Sequence, residues 1–254
     1  MASNLRITYD DLLKRVSDFL GLGSSTPTGS NLTLCGDIVA RGYRQFLYPM
    51  DARTGDTWEW SFLKPLHVLP IRSGIWKYQL PEDFSEILTD PTFDDDDGFT
   101  SLSKITPEEI LNLRSTVTES YQPWYYAIVP VGGGLETGTF DEIWVYPSPD
   151  ASYNLKFFYK ADPLKPDTTT NYLVGGVRAC EAILESCLAV AEVQEDDTIG
   201  IHSQKAEELI QKLILADSKR DDDTIIGNLY SGPNNFVVRN HRGFVDLNDL
   251  YPGE

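Results

Sequence analysis

The sequence predicts an α+β fold in which an antiparallel helical bundle, built from N- and C-terminal helices, carries an inserted β-sandwich or barrel-like domain and an extended C-terminal tail. Apolar residues recur at helical spacing near both ends, whereas the middle alternates with period two and the last thirty or so residues follow neither pattern. We therefore expect a discontinuous helical bundle at residues 1–55 and 163–222, an inserted β domain at 56–162 and a docking tail at 223–254.

The bundle is predicted to centre on a hairpin of two long helices. From Val177 to Ala191, apolar side chains surround most of the helical cylinder, which is typical of a buried helix. Polar residues follow, and Thr198 offers an N-cap oxygen for a second helix that starts near Ile201. Because the link is short and polar, the two helices should pack antiparallel. The predicted core positions of the bundle are Val177, Ile183, Leu184, Leu188, Leu209 and Leu213.

Two amphipathic helices near the N terminus are expected to cover this hairpin. Thr8 precedes an apolar stripe with an acidic first turn, and Gly21 marks the end of that stripe. A second helix is predicted from about Thr33 until Pro49 stops it, and its apolar side carries Leu34, Ile38, Val39, Tyr43, Phe46 and Leu47.

The middle of the chain is predicted to form strands. Trp58, Trp60 and Phe62 alternate with polar residues, and all five tryptophans are expected inside the β domain. Further strands are predicted at Ile75–Leu80, Tyr125–Val129, Glu142–Tyr146 and Leu155–Tyr159. Thr106 and Glu109 form a capping box around Pro107, which predicts one helix within this domain.

The strongly acidic composition limits the partners of the chain. A net charge of -18 over 254 residues should repel nucleic-acid phosphates, so tight binding of DNA or RNA through a basic patch is not expected. The start of the sequence lacks a secretory pattern and no apolar run has membrane-spanning length, so we expect synthesis in a cytoplasm and no membrane contact. Cys35, Cys180 and Cys187 are expected to fill the core as free thiols.

No motif in the sequence predicts catalytic residues, a metal site or a cofactor. The acidic run Asp94–Asp97 before Gly98 lacks carboxylates at the first and last positions of an EF-hand loop, and is typical of an exposed turn. Two alternatives stay open: an enzyme that uses some acidic pair, and a carbohydrate-binding module. The stacking face of that module would consist of Trp58, Trp60, Phe62, Trp76 and Tyr78.

The C-terminal tail is too apolar for a disordered segment and too irregular for a helix. Its apolar side chains need a surface to lie on, and another polypeptide is the natural candidate, to whose sheet Phe236–Val238 could add a strand. The residues predicted to bind this partner are Ile225, Ile226, Leu229, Tyr230, Phe236, Val237, Val238, Phe244, Val245, Leu250 and Tyr251.

Two helices come first, then a β insertion with the segments Trp58–Leu63 and Tyr78–Phe84, then a helical hairpin preceded by Tyr172–Gly176, and finally an irregular tail. This order resembles the head-to-tail adaptor, or connector, proteins of tailed bacteriophages. The chain is most similar to those adaptors that carry a β domain inserted into the helical bundle.

The resemblance implies a structural protein of the virion neck, between capsid and tail, and neither an enzyme nor a cofactor. It implies a ring of about twelve copies under the portal vertex, which needs heterologous interfaces that close. The partners would be the portal protein, further copies of the chain, and downstream tail or nozzle proteins. Double-stranded DNA would pass through the lumen without specific binding, because an acidic wall repels phosphates. The tail would dock on the portal or a neighbour, the bundle would pack between subunits, and loops of the β domain would meet the tail machinery.

Overall fold

The computed structural model describes residues 5–94, 101–116, 120–132, 139–167, 172–196, 198–222, 237–240 and 243–246. Within these ranges the fold is α+β, as predicted. The helices are α1 Tyr9–Phe19, α2 Ser30–Leu47, α3 Pro107–Thr116, α4 Gly176–Asp196 and α5 Ile201–Asp222. The strands are β1 Leu66–Ile71, β2 Lys77–Gln79, β3 Phe84–Ile87, β4 Thr92–Phe93, β5 Ser103–Lys104, β6 Tyr125–Gly132, β7 Thr139–Tyr146, β8 Tyr153–Ala161, β9 Val237–Asn240 and β10 Gly243–Asp246.

Helix α1 begins with the cap that the sequence predicts. The Thr8 hydroxyl accepts a hydrogen bond from the Asp11 backbone N–H at 3.2 Å, and the Asp11 carboxylate accepts one from the Thr8 N–H at 3.0 Å. This reciprocal pair satisfies two backbone donors that a helix start otherwise leaves open. The helix ends at Phe19, and Gly21 follows with a φ of 67°, which a glycine adopts without strain.

Helix α2 begins at Ser30, three residues before the predicted start. The predicted apolar side is buried at Ile38, Val39, Tyr43, Phe46 and Leu47. The prediction is wrong at Leu34, which is exposed while the neighbouring Cys35 is fully buried. One position corresponds to 100° of helical rotation, so the small thiol takes the inward place.

The chain divides into two compact units. The first comprises the described residues of Met1–Ala40 and Phe62–Cys180, and the second those of Arg41–Ser61 and Glu181–Glu254. The strands β1 to β8 belong to the first unit. One sheet has the order β1-β8-β3, with β4 also pairing with β8, and the other has the order β2-β7-β6-β5.

The two sheets of the first unit share one apolar core. Leu155 and Phe157 of β8 lie in the same buried cluster as Ile143 and Val145 of β7, so the inner faces pack as a sandwich. On the opposite side of β7, Trp144 clusters with Ile110 of α3, and the helix therefore covers that face. Neither sheet closes into a barrel within the described residues. Of the two predicted forms, sandwich or barrel, the structure is therefore a sandwich.

The predicted strand at Trp58–Phe62 is wrong. Trp58 and Trp60 precede a 3-10 turn at Ser61–Leu63 and take no part in a ladder. Their indole N–H groups donate instead within the second unit, that of Trp60 to the Phe46 carbonyl at 3.0 Å and that of Trp58 to the Asp217 carboxylate at 3.1 Å. Two of the five tryptophans thus lie in the mainly helical unit, and alternation here reflects two anchoring side chains rather than a strand.

The second unit contains the end of α2, most of α4, and α5. Near the end of α4, Glu192 accepts hydrogen bonds from the N–H groups of Ile201 and His202 at the start of α5. Earlier on α4, Glu185 contacts the His202 ring and Ser186 lines a groove together with residues of α5. Helix α5 therefore folds back antiparallel to α4. Helices α2 and α4 approach closely at Gly42: a Cβ placed there would lie 2.5 Å from the Cys187 Cα.

Candidate functional site

The predicted partner-binding tail is only partly described. Val237 and Val238 lie in β9, and Phe244 and Val245 lie in β10; the other predicted tail residues, Ile225, Ile226, Leu229, Tyr230, Phe236, Leu250 and Tyr251, lie outside the described residues. Strands β9 and β10 pair antiparallel, with Val238 opposite Val245 and Arg239 opposite Phe244. Among the described strands, β9 and β10 pair only with each other.

The predicted core positions of the hairpin differ in burial. Ile183 is fully buried, and Leu184, Leu188, Leu209 and Leu213 are partly buried. Val177 does not lie in the core of the described chain: it is 37% exposed, since it stands in the first turn of α4. Sequence reasoning missed Ile210 and Ala206, which are buried on α5. With Ile214 they share the spacing i, i+4, i+8, a signal that was available in the sequence.

A buried carboxylate joins α5 to the segment after α2. Asp217 is only 7% exposed, and it accepts hydrogen bonds from the Trp58 indole at 3.1 Å, the Ser61 backbone N–H at 2.9 Å and the Ser61 hydroxyl at 2.5 Å. Three donors compensate for the loss of hydration on burial. The hydrogen bond to Asp217 holds the Trp58 indole in place, so Trp58 serves as a structural anchor.

A second carboxylate takes the place of the predicted Thr198 cap. Glu192, near the end of α4, accepts hydrogen bonds from the Ile201 and His202 backbone N–H groups at 3.0 and 3.1 Å. A carboxylate suits a helix start because the unpaired N–H groups and the helix dipole both favour negative charge. A Cβ on Gly200 would lie 2.0 Å from the Glu192 Oε1 atom, so the glycine leaves room for this carboxylate.

The second unit carries an open groove of about 330 Å³ between α4, α5 and the segment after α2. Its floor consists of the buried side chains of Ala189, Ala206 and Ile210, and the small size of the two alanines leaves a hollow. Its rim includes Tyr48, which is 43% exposed, and Met50, which is 67% exposed. We call this the α4–α5 groove.

The groove is preformed because one side chain ties its rim to α5. The Gln211 side-chain amide donates to the Met50 carbonyl at 2.8 Å and accepts from the Ala52 N–H at 3.3 Å. Glu207 is the one charged residue among those lining the groove. The site therefore offers an apolar hollow with an acidic edge, which suits an apolar side chain accompanied by a cation.

The first unit also exposes apolar surface. Leu66 of β1 pairs with Phe158 of β8, and the Leu88 N–H donates to the Phe158 carbonyl at 2.9 Å, so three exposed apolar residues form one row across the sheet. Lys156 and Lys160 alternate with Phe158 along the same face of β8. We call this the outer sheet face.

Titratable groups in the sandwich act as structural anchors. The Tyr159 hydroxyl donates to Asp83 at 3.0 Å, and burial together with this contact raises the pKa of Tyr159 to about 12. Tyr126 donates to Asp90 at 2.7 Å, and its pKa is raised for the same two reasons. In the second unit, burial raises the pKa of the Cys187 thiol to about 12, which keeps it protonated near neutral pH.

The described residues hold no group of three His, Cys, Asp or Glu side chains placed to bind a metal ion. The predicted sugar-stacking residues divide between the two units: Trp58 and Trp60 belong to the second, and Trp76 packs edge-on against Trp144 at 5.1 Å in the first. None of the helices that the structure describes is long and apolar enough to cross a bilayer.

Comparison with known proteins gives one assignment. No curated protein matches the chain. The family model described as SU10 adaptor protein matches residues 7–235, from the residue before the Thr8 cap to the residue before Phe236. This range takes in both units and confirms the resemblance drawn from the order of helices, β insertion and hairpin. The chain therefore belongs to the SU10 adaptor protein family, a family of phage head-to-tail adaptors, and is a structural component of the virion.

Proposed function

We propose that the protein forms a ring that joins the portal vertex of the capsid to the tail and continues the channel for DNA. The family match over residues 7–235 carries this proposal. A protein that links two coaxial assemblies must repeat around their axis, and identical subunits do so through heterologous interfaces that close. The resemblance to phage head-to-tail adaptors implies about twelve copies in this ring.

The C-terminal tail is proposed to dock on the portal protein or on a neighbouring copy. A two-stranded hairpin is marginal in water unless it packs on further structure. Strands β9 and β10 pair only with each other within the described chain, and apolar residues make up much of the tail on both sides of them. A partner surface would supply the missing support.

The acidity of the chain suits a channel wall. With a net charge of -18 per copy, a ring would present a strongly negative lumen, which DNA phosphates would not bind. DNA could then pass without being held.

The remaining assignments follow from this arrangement. The ring would lie in the virion neck, after synthesis in the host cytoplasm. The helical hairpin α4–α5 and the helices near the N terminus would pack between subunits, and loops of the β domain would contact the tail or nozzle proteins below.

The test combines the purified chain with the portal protein. We expect a ring in the mass of the complex, and loss of portal binding when residues 223–254 are removed. A full-length chain with Leu66→Ser on the outer sheet face serves as the control and should still bind. A truncated chain that still forms the ring and binds the portal with unchanged affinity would contradict the role of the tail, and a complex with a single copy of the chain would contradict the ring.

A further inference from the structure

We infer that the α4–α5 groove of one copy receives the β9–β10 hairpin of a neighbouring copy. This inference rests on the proposed ring, and it names the surface on which the tail docks. Three observations support it: the shape of the groove, the charges of the two partners, and the length of chain that precedes the hairpin.

The groove has the dimensions of an anchor site. A volume of about 330 Å³ lies at the lower end of the range for ligand pockets, so it admits one or two large apolar side chains and not an extended ligand. The small floor residues Ala189 and Ala206 lie on different helices, and Gln211 holds the rim in place. Because the hollow is preformed, little conformational entropy is lost when a side chain fills it.

The charges of the hairpin match the groove. The hairpin, residues 237–246, carries Arg239, Arg242 and Asp246, so its net charge is +1 (2 − 1), although the whole chain carries a net charge of -18. The one charged residue that lines the groove is Glu207. Opposite charges beside an apolar contact favour the correct pairing of partners.

The outer sheet face is the competing surface, and it carries charges of both signs. It exposes an apolar row with Phe158 at the centre, but Lys156 and Lys160 flank Phe158 on the same strand. Lys156 forms an ion pair with Asp94, and Glu86 of β3 lies opposite Lys160, so this face favours two arginines less than the acidic edge of the groove does. The groove has no basic residue among those lining it.

The connecting chain is long enough to reach a neighbour. Helix α5 ends at Asp222 and β9 begins at Val237, so fourteen residues connect them. Fully extended, such a segment spans roughly 45 Å. In a ring, each groove filled by the next copy's hairpin gives the head-to-tail contact that closes the circle.

The experiment is disulfide trapping between full-length chains in assembled particles. One chain carries Met50→Cys at the groove rim, and the other carries Val245→Cys in the hairpin. We expect a covalent heterodimer from this pair, several-fold above the yield from a matched control pair of Leu66→Cys with Val245→Cys. Equal yields from the two pairs would overturn the inference, as would a cross-link that forms only when both cysteines are in one chain.

A charge exchange tests the electrostatic part. Arg239→Glu with Arg242→Glu in the Val245→Cys chain should lower the heterodimer yield several-fold, and Glu207→Arg in the Met50→Cys chain should restore it. Failure of the restoring substitution would contradict the proposed contact with Glu207. Electron microscopy of the same particles tests the ring separately from the contact between hairpin and groove. An intact ring without the cross-link refutes the contact alone, and the absence of a ring refutes the proposed function.

Discussion

Replacement of Gly42 by alanine should destabilise the second unit, although alanine is the better helix former. A Cβ at this position would lie 2.5 Å from the Cys187 Cα, 2.7 Å from the Cys187 N and 2.8 Å from the Ser186 carbonyl oxygen. All three are backbone atoms of α4, so no side chain can rotate away. The two helices would have to separate at their closest approach.

The magnitude follows from two opposing effects. Alanine in place of glycine within a helix stabilises by about 1 kcal/mol. Overpacking of a close contact costs about 1–3 kcal/mol, and occasionally more. Because backbone atoms at 2.5 Å are far inside an ordinary contact, we expect the upper part of that range and a net loss of about 2 kcal/mol. For a chain of this size such a loss lowers the Tm by roughly 4–8 °C.

Gly36→Ala is the matched control, since it makes the same change in the same helix. A Cβ at Gly36 would meet only the Tyr9 hydroxyl oxygen, at 3.1 Å, which a small side-chain adjustment relieves. Urea unfolding followed by circular dichroism should show the Gly36 variant within about 1 kcal/mol of the parent. If the Gly42 variant proves as stable as the Gly36 variant, the close approach of α2 and α4 is not real.

Three further predictions concern Asp217, the Glu192 cap and the partly buried His67. Asp217→Ala leaves three donors without their acceptor, so we expect a loss of about 2–3 kcal/mol and a red shift of Trp58 emission, while the exposed Asp56→Ala should change neither. Gly200→Ala should displace the Glu192 cap and cost about 1–2 kcal/mol; the same loss from Glu192→Ala, without further loss in the double variant, would identify the cap as the shared cause. Burial lowers the pKa of His67, so the unfolded chain binds a proton near pH 6.5 while the folded chain does not. Stability should therefore fall as the pH drops below about 6.5, and His67→Phe should weaken this dependence; an unchanged pH profile of unfolding would contradict the assignment.

Local signals in the sequence predicted those elements that local chemistry determines. Thr8 and Thr106 cap their helices as expected, because a capping box needs only residues three positions apart. Strand β8 follows the period-two alternation of a half-buried strand, whereas β6 and β7 contain continuous buried runs because α3 covers their second face.

Long-range anchors could not be predicted in the same way. The alternation of Trp58 and Trp60 suggested a strand, but their partners Asp217 and Phe46 lie 159 and 14 positions away, and tertiary contact overrides the local preference. The cap at α5 comes from Glu192 rather than the nearer Thr198 for the same reason. The α4–α5 groove depends on the joint placement of small residues on two helices and of the segment that holds Met50, which no single periodicity encodes.

The ring itself is tested most directly by a cryo-electron microscopy reconstruction of the neck of the intact particle. The account predicts a closed ring of copies of this chain around the DNA path, with one side against the portal and the β9–β10 hairpin of each copy in the groove of the next. A neck in which this chain occurs as isolated single copies, or does not surround the DNA path, would contradict the account.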